Sequence, residues 1–249
     1  MEDQWKFSNF HLHGTDIGRI KNFVRLLGQE WKRANNKDIN ISIPKIACAN
    51  HHYMLESEYL IRFCKYHQVE WVPAYGIRTK DGYHLNVINP QEGAKQLLEA
   101  LVDEKIMWMT VILEELIKLG KPIHPEMMLR RTKKKLHEIE VPDLCTELIL
   151  EHHNYEGCQD PTSAYENVIK PLILEYPIHK LSFDEVMYYT QDDEDVILCE
   201  FQEVKDLKQL LTINPCINGV VITKDTTSET LTYLKQNNIN VLPGTGEWI

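Results

Sequence analysis

Phe10-His11-Leu12-His13-Gly14-Thr15-Asp16 is the stretch on which the reading of the fold turns. The residues from Phe7 to Leu12 read as a strand that runs into a loop at Gly14. On a strand, residues two apart project from the same face, so His11 and His13 are expected to leave it together. Two imidazoles converging at the C-terminal end of a strand can hold a transition metal. Alone, the pattern is short enough that two partly exposed histidines with local hydrogen bonds would also produce it.

Further along, two more histidine groups stand near strand ends. Ala49-Asn50-His51-His52-Tyr53 follows an apolar run from Ile39 to Ala49 that Pro44 interrupts at its start. His84 lies inside a run from Tyr83 to Ile88, which Lys80-Asp81-Gly82 separates from a strand expected over Glu70 to Tyr75; that pair reads as a hairpin. Between these strands, Leu55 to Tyr66 carries one apolar helical face. Asn89-Pro90 then opens a long helix over Gln91 to Leu119, and three more helices are expected between Pro125 and Leu174. Ser182, with Glu185 three residues on, caps another helix. After it come a strand over Asp195 to Glu200, a helix over Glu203 to Leu211 and a strand over Gly219 to Thr223. A helix over Thr227 to Gln236 and a strand over Ile239 to Leu242 follow. Such βα units at both ends favour a largely parallel sheet or barrel. The expected division is one discontinuous domain, residues 1–104 and 181–249, with a helical insertion over 105–180.

The order of these motifs resembles the PHP (polymerase and histidinol phosphatase) superfamily. Asn9-Phe10-His11-Leu12-His13-Gly14 stands where that family opens Asp-Leu-His-x-His-Thr, and Ala49-Asn50-His51 where it has Thr-Asp-His. Tyr75-Gly76-Ile77-Arg78 leading to His84 stands where it has Pro-Gly-(Ile/Val)-Glu and a His-bearing strand. The helical insert, the Ser182-led helix and Val196-Ile197-Leu198-Cys199-Glu200-Phe201 are similar to the branch of nucleotide and RNA-end phosphoesterases, whose strand ends Ala-His-Pro. The resemblance implies a distorted (β/α)7-type barrel with a helical insertion. It also implies metal ions, held by His and carboxylate ligands, that activate water against a phosphoester.

This chain departs from that pattern where the metals would crowd together. A carboxylate bridging two ions holds them close and offsets their repulsion. Its implied position is Arg78, a fixed positive charge that cannot ligate. The closing Asp and His fall on Gly246 and Trp248, and the acidic position of the Gly-Ile-Glu-Val strand is Val221. His11, His13, Glu200 and His84 remain to hold one divalent ion (Mn, Zn or Fe), with Asp16 and His52 nearby. His51 remains as a catalytic residue if the chain is active, and Arg78 as a ligand-binding charge. The expectation is a degenerate active site in a pseudoenzyme: a binding or regulatory protein with a protein partner, or a pocket for a phosphorylated small molecule or nucleic-acid end. The alternative is a metal-dependent phosphoesterase or nuclease with a reduced site.

Composition narrows the classes further. A formal charge of -10 over 249 residues argues against a general nucleic-acid binder. The run Arg130-Arg131-Thr132-Lys133-Lys134-Lys135 reads as a solvated helix face, and Glu151-His152-His153 as a helix-end surface pair. Met107-Trp108-Met109 reads as insert core or a partner-helix contact. No apolar run has the length of a membrane span, and the N-terminus has no signal-peptide pattern. Six cysteines with no CxxC pair read as buried thiols in a reducing compartment, so a cytoplasmic location is expected.

Overall fold

The computed structural model describes residues 9–12, 17–36, 42–55, 57–178, 180–190, 196–201, 217–222 and 226–243. His13, Asp16, Asp192 to Asp195, Gly246, Trp248 and the helix expected over Glu203 to Leu211 lie outside these residues, as do the side chains of His11 and Glu200. The chain is a mixed α/β protein with two compact units, Met1–Leu98 with Leu181–Ile249, and Glu99–Lys180.

In the first unit, β1 (Asn9–Leu12), β2 (Lys45–Cys48) and β3 (Glu70–Trp71) form a parallel sheet in that order. A second sheet runs β4 (Ala74–Arg78), β5 (His84–Ile88), β6 (Val196–Phe201), β7 (Ile217–Ile222) and β8 (Asn240–Pro243). The β4–β5 and β5–β6 pairs are antiparallel and the rest parallel, so the sheet is mixed where a largely parallel one was expected. The reason is the tight turn Thr79–Tyr83, which returns the chain beside itself. Gly82 sits there at φ 92°, a region a glycine enters without steric cost. Its amide donates to the Thr79 carbonyl (3.0 Å), and the Thr79 amide donates to the Tyr83 carbonyl (2.8 Å).

The single strand expected over Glu70 to Tyr75 is two strands, β3 and β4. Pro73 has no amide to donate to a ladder, and the break falls there. Around the break the chain stays beside β2: the Val72 amide donates to Ile46 (2.9 Å), and Gly76 forms an isolated parallel bridge with His51. That bridge continues the first sheet into the second. Residues of β2 divide between two cores. Ile46 and Cys48 pack with Leu12, with Ile20, Val24 and Leu27 of α1 (Ile17–Asn35), and with Leu60 and Cys64 of α2 (Glu58–Tyr66). Ala47 and Ala49 pack with Val72, Ala74, Ile88 and Val221. Since β7 stands three strands beyond β4, a contact cluster shared by Ala47 and Val221 requires the sheet to curl. Small alanines on that inner face permit it. Among the described residues no pairing joins β8 to β1.

The helix α1 was not foreseen, although Ile20, Val24, Leu27 and Trp31, all buried, recur at helical spacing. The hairpin turn is tied to the N-terminus of α8 (Phe183–Tyr189). Asp81 accepts from the Phe183 amide at 3.0 and 3.1 Å, and Ser182 and Glu185 form the expected capping box.

The second unit contains most of α3 (Glu92–Lys118), then α4 (Pro125–Thr132), α5 (Val141–His152), α6 (Pro161–Ala164) and α7 (Lys170–Glu175). A π-helical stretch, Tyr165–Ile169, joins α6 to α7; Pro171 follows it and lacks the amide that a regular turn would use. Met109, Ile112 and Leu116 meet Met128, Leu144, Leu148 and Ile169 in one core. Trp108 donates its indole N–H to the Tyr176 carbonyl (2.7 Å), while Met107 is exposed. The basic run is exposed at Arg130, Arg131, Lys133 and Lys135, but only its first three residues are helical. The helix stops at Thr132, Lys133 turns left-handed at φ 57°, Arg131 pairs with Glu147 and Glu151, and Lys134 with Asp143. At the end of α5, Glu151 pairs with His124 and His152 bonds the Pro122 carbonyl.

Candidate functional site

The site follows from one face of the curled sheet. Cross-strand partners share a face, and so do residues two apart. The pairs Ala74–Ile88, Gly76–Asn86 and Arg78–His84 therefore form one ladder on β4 and β5. Its lower rung is apolar and belongs to the alanine-rich inner core. The rungs above it are polar. Asn86 and His84 are buried, while Arg78 is exposed at the end of β4. The C-terminal ends of β2, β4 and β6 reach the same rim. There β1 lies beside β2, with the Ala49 amide bonded to the Leu12 carbonyl (2.8 Å), and β6 lies beside β5, with Cys199 opposite His84.

After β2 the chain does not turn away but runs along β4. The Gly76 amide donates to Asn50 (2.9 Å) and the His52 amide to Gly76 (3.0 Å). Asn50, His52 and Tyr53 are buried by this seating. His52 takes φ 62°, a left-handed conformation uncommon outside glycine, costing on the order of 1 kcal/mol. His51, just before that kink, stacks on His84 with ring centroids 4.8 Å apart and planes 23° from parallel. These histidines come from strands separated by β4, where next-nearest strands stand about 9.5 Å apart. Gly76 lets β4 lie close against the segment that carries His51. A Cβ there would be 2.8 Å from the Ala49 carbonyl oxygen and 3.4 Å from Asn86 Oδ1.

The expected site residues are thus partly gathered. His51, His84 and Arg78 share one rim, and His84 faces inward. His11 is a residue of β1, which pairs with the strand that leads to His51, and Glu200 is a residue of β6, which pairs with the strand that carries His84. The β6–β7 register shifts between Leu198 and Phe201, beside Glu200. Two buried contributors escaped the sequence reading: Asn86, signalled by its spacing of two from His84, and Gly76, signalled only by being a glycine inside a strand.

The described part of the rim does not by itself form the metal cluster that the resemblance implies; His13 and the side chains of His11 and Glu200 lie outside the described residues. Two rings stacked face to face direct their nitrogens along separate planes instead of toward one ion. The residue paired in register with His84 is a permanent cation. Among the described residues no three His, Cys, Asp or Glu side chains converge as a ligand set.

The sequence matches no protein-family model and no curated protein. Its fold is shared with the crystal structure of a candidate metal-dependent phosphoesterase from Bifidobacterium adolescentis. The TM-score is 0.66 at 12% identity, over 97% of this chain and 87% of that one. The chain therefore has an α/β phosphoesterase-like fold. Among the described residues no helix is long and apolar enough to cross a membrane.

Proposed function

We propose that the chain is a PHP-like barrel of the distorted (β/α)7 type with an eroded metal site, binding a phosphorylated ligand at the rim without hydrolysing it. The observation that carries this reading is Arg78, held in register opposite His84, which stacks on His51. A guanidinium stays charged at all relevant pH values and presents forked donors that match phosphoryl oxygens. Where the resemblance implies a bridging carboxylate, this charge repels a second cation and attracts the anion instead. The ligand class is a phosphorylated small molecule or a nucleic-acid end, and a protein partner that presents or receives it belongs to the same reading. A reducing, cytoplasmic setting suits the free, buried thiols of Cys48, Cys64, Cys145 and Cys158.

Calorimetric titration with AMP and with pyrophosphate tests this. Arg78→Ala is expected to weaken binding about tenfold or more, the loss of a charge-assisted hydrogen bond. The same samples, supplemented with Mn, are expected to leave nucleotides and RNA intact. Metal-dependent turnover that disappears on His13→Ala would overturn the reading.

A second reading is favoured by the likeness of fold to a candidate metal-dependent phosphoesterase. In it His11, His13 and Glu200, with His84 as a further candidate, hold one divalent ion. His51 assists and Arg78 grips the phosphate. Bound there, the ion would supply Lewis acidity. Elemental analysis after purification with Mn, Zn and Fe discriminates: a stoichiometric metal lost on His11→Ala supports it, and a metal-free protein counts against it.

A further inference from the structure

The chain carries a large negative charge, yet its α1–α2 layer is basic. Helix α1 has Arg19, Lys21, Arg25, Lys32 and Arg33 against Glu30 alone, and α2 has Arg62 and Lys65 against Glu58. The cations are not scattered. Lys21, Arg25, Gly28 and Lys32 recur at helical spacing along the side of α1 that faces α2. At Gly28 the helices come so close that a Cβ would stand 2.3 Å from the His67 carbonyl oxygen. Lys21 Nζ lies 5.1 Å from the ring centroids of both Tyr59 and Phe63. Lys32 and Arg25 are near enough to His67 to hold its imidazole below the usual range, an effect that follows its desolvation in size.

Opposite these cations stands an aromatic ladder. Tyr59, Phe63 and His67 follow at four-residue steps on α2, with centroids 6.4 and 4.6 Å apart, and Tyr66 meets His67 edge-on at 5.0 Å. Tyr66 is 80% exposed, and Tyr59 remains 54% exposed with Lys21 over its ring, so each end of the ladder keeps ring surface open to solvent. Among the described residues none of Lys21, Arg25 and Lys32 is paired with a carboxylate, although Arg62 beside them is paired with Glu58.

We propose that this seam binds single-stranded nucleic acid, with bases stacking on Tyr59 and Tyr66 and the backbone phosphates following Lys21, Arg25 and Lys32. Charge alone would suit any polyanion. Open aromatic rings interleaved with cations select a ligand that alternates flat π-systems with negative charge. An acidic protein segment would use the cations and leave the rings idle. The seam is a separate surface from Arg78, so the inference stands or falls independently of the rim site.

Fluorescence anisotropy of labelled oligo(U) and oligo(dT), each about a dozen nucleotides long, against the full chain tests the proposal. Saturable binding is expected, with a log–log salt slope of about -2 for three phosphates neutralised. Arg25→Glu is expected to weaken it about tenfold or more, and Tyr66→Ala about fivefold or more with the salt slope unchanged. Lys235→Glu, an exposed charge reversal on the helix Ser228–Gln236 outside the seam, is expected to leave binding intact. Thermal melting of each variant checks that it folds. Tighter binding of oligo(U) than oligo(dT) assigns RNA and the reverse assigns DNA; both support the proposal. No saturable binding at low salt overturns it. Equal loss with Lys235→Glu also does, and so does full affinity in Tyr59→Ala and Tyr66→Ala, which would mark a general polyanion or acidic-protein surface.

Discussion

At the scale of the residue, one glycine and one arginine set what the rim can do. Gly76 lets β4 approach the Ala49 carbonyl, where a Cβ would stand 2.8 Å from the oxygen. Gly76→Val is expected to cost about 1–3 kcal/mol by overpacking against the Ala49 carbonyl. It should also abolish ligand binding at the rim; denaturant melts and calorimetry on one preparation read both. The thiols give a second residue-level expectation. Burial pushes Cys48 up to about 12, with nearby Cys64 adding to the rise, and pushes Cys64 and Cys145 each up to about 11. Thiolates attack disulfide reagents and thiols do not. None of these three should label at pH 8 in the native protein, and all should label after unfolding, as mass spectrometry would show. Native labelling at Cys48 would contradict its placement behind α1 and α2.

Among the elements, the most informative is the junction where the hairpin turn meets α8. Glu185 accepts from the Ser182 amide and hydroxyl, each at 2.7 Å, and from Lys80 Nζ at 3.3 Å. Those bonds hold its carboxyl down to about 2, the Ser182 amide being the largest cause. The sign follows from proton counting. The unfolded chain takes up the proton near 4.5 and the folded one only near 2, so the unfolded state binds more protons between these values. The stabilisation is complete above about 4.5 and is lost as the pH falls toward 2. A carbon-detected NMR titration should find the low midpoint. Ser182→Ala should raise it and cost about 1 kcal/mol of stability through the lost cap. An unchanged midpoint in the variant would mean that the box does not form in solution.

On the scale of the whole molecule, each unit has its own core, and the helical one contains a buried ion pair. Lys105 Nζ lies 2.8 Å from Glu140 Oε1, with both side chains almost wholly buried. Burial raises the Glu140 carboxyl and the Lys105 ammonium opposes that rise, so each charge depends on the other. Lys105→Met is expected to cost about 3–5 kcal/mol by leaving a carboxylate buried without its partner. The double variant with Glu140→Leu should recover most of that loss. If the double variant is no more stable than the single one, the unpaired carboxylate is not the source of the loss. At this same scale, a sum of charge over the chain conceals that α1 and α2 are basic while the rest is strongly acidic.

Much of the chain was legible in order. The hairpin at Lys80-Asp81-Gly82, the box at Ser182 and Glu185 and the long helix from Glu92 are written in local chemistry, where a few neighbouring residues fix the backbone. The same local rules showed three histidine groups near strand ends and an arginine in place of a carboxylate. What they left open was the mixed sheet, the division of Glu70 to Tyr75 at Pro73 and the direction of His84. The sequence by itself determined where the strand ends and turns beside His51, Arg78 and His84 fall, since periodicity and turn signals act within a few positions. Only the tertiary structure decided that the rings of His51 and His84 stack, and that Lys21 lies over the rings of α2. Those contacts join residues more than thirty positions apart, and they depend on how closely separate elements approach, a distance that no local pattern encodes.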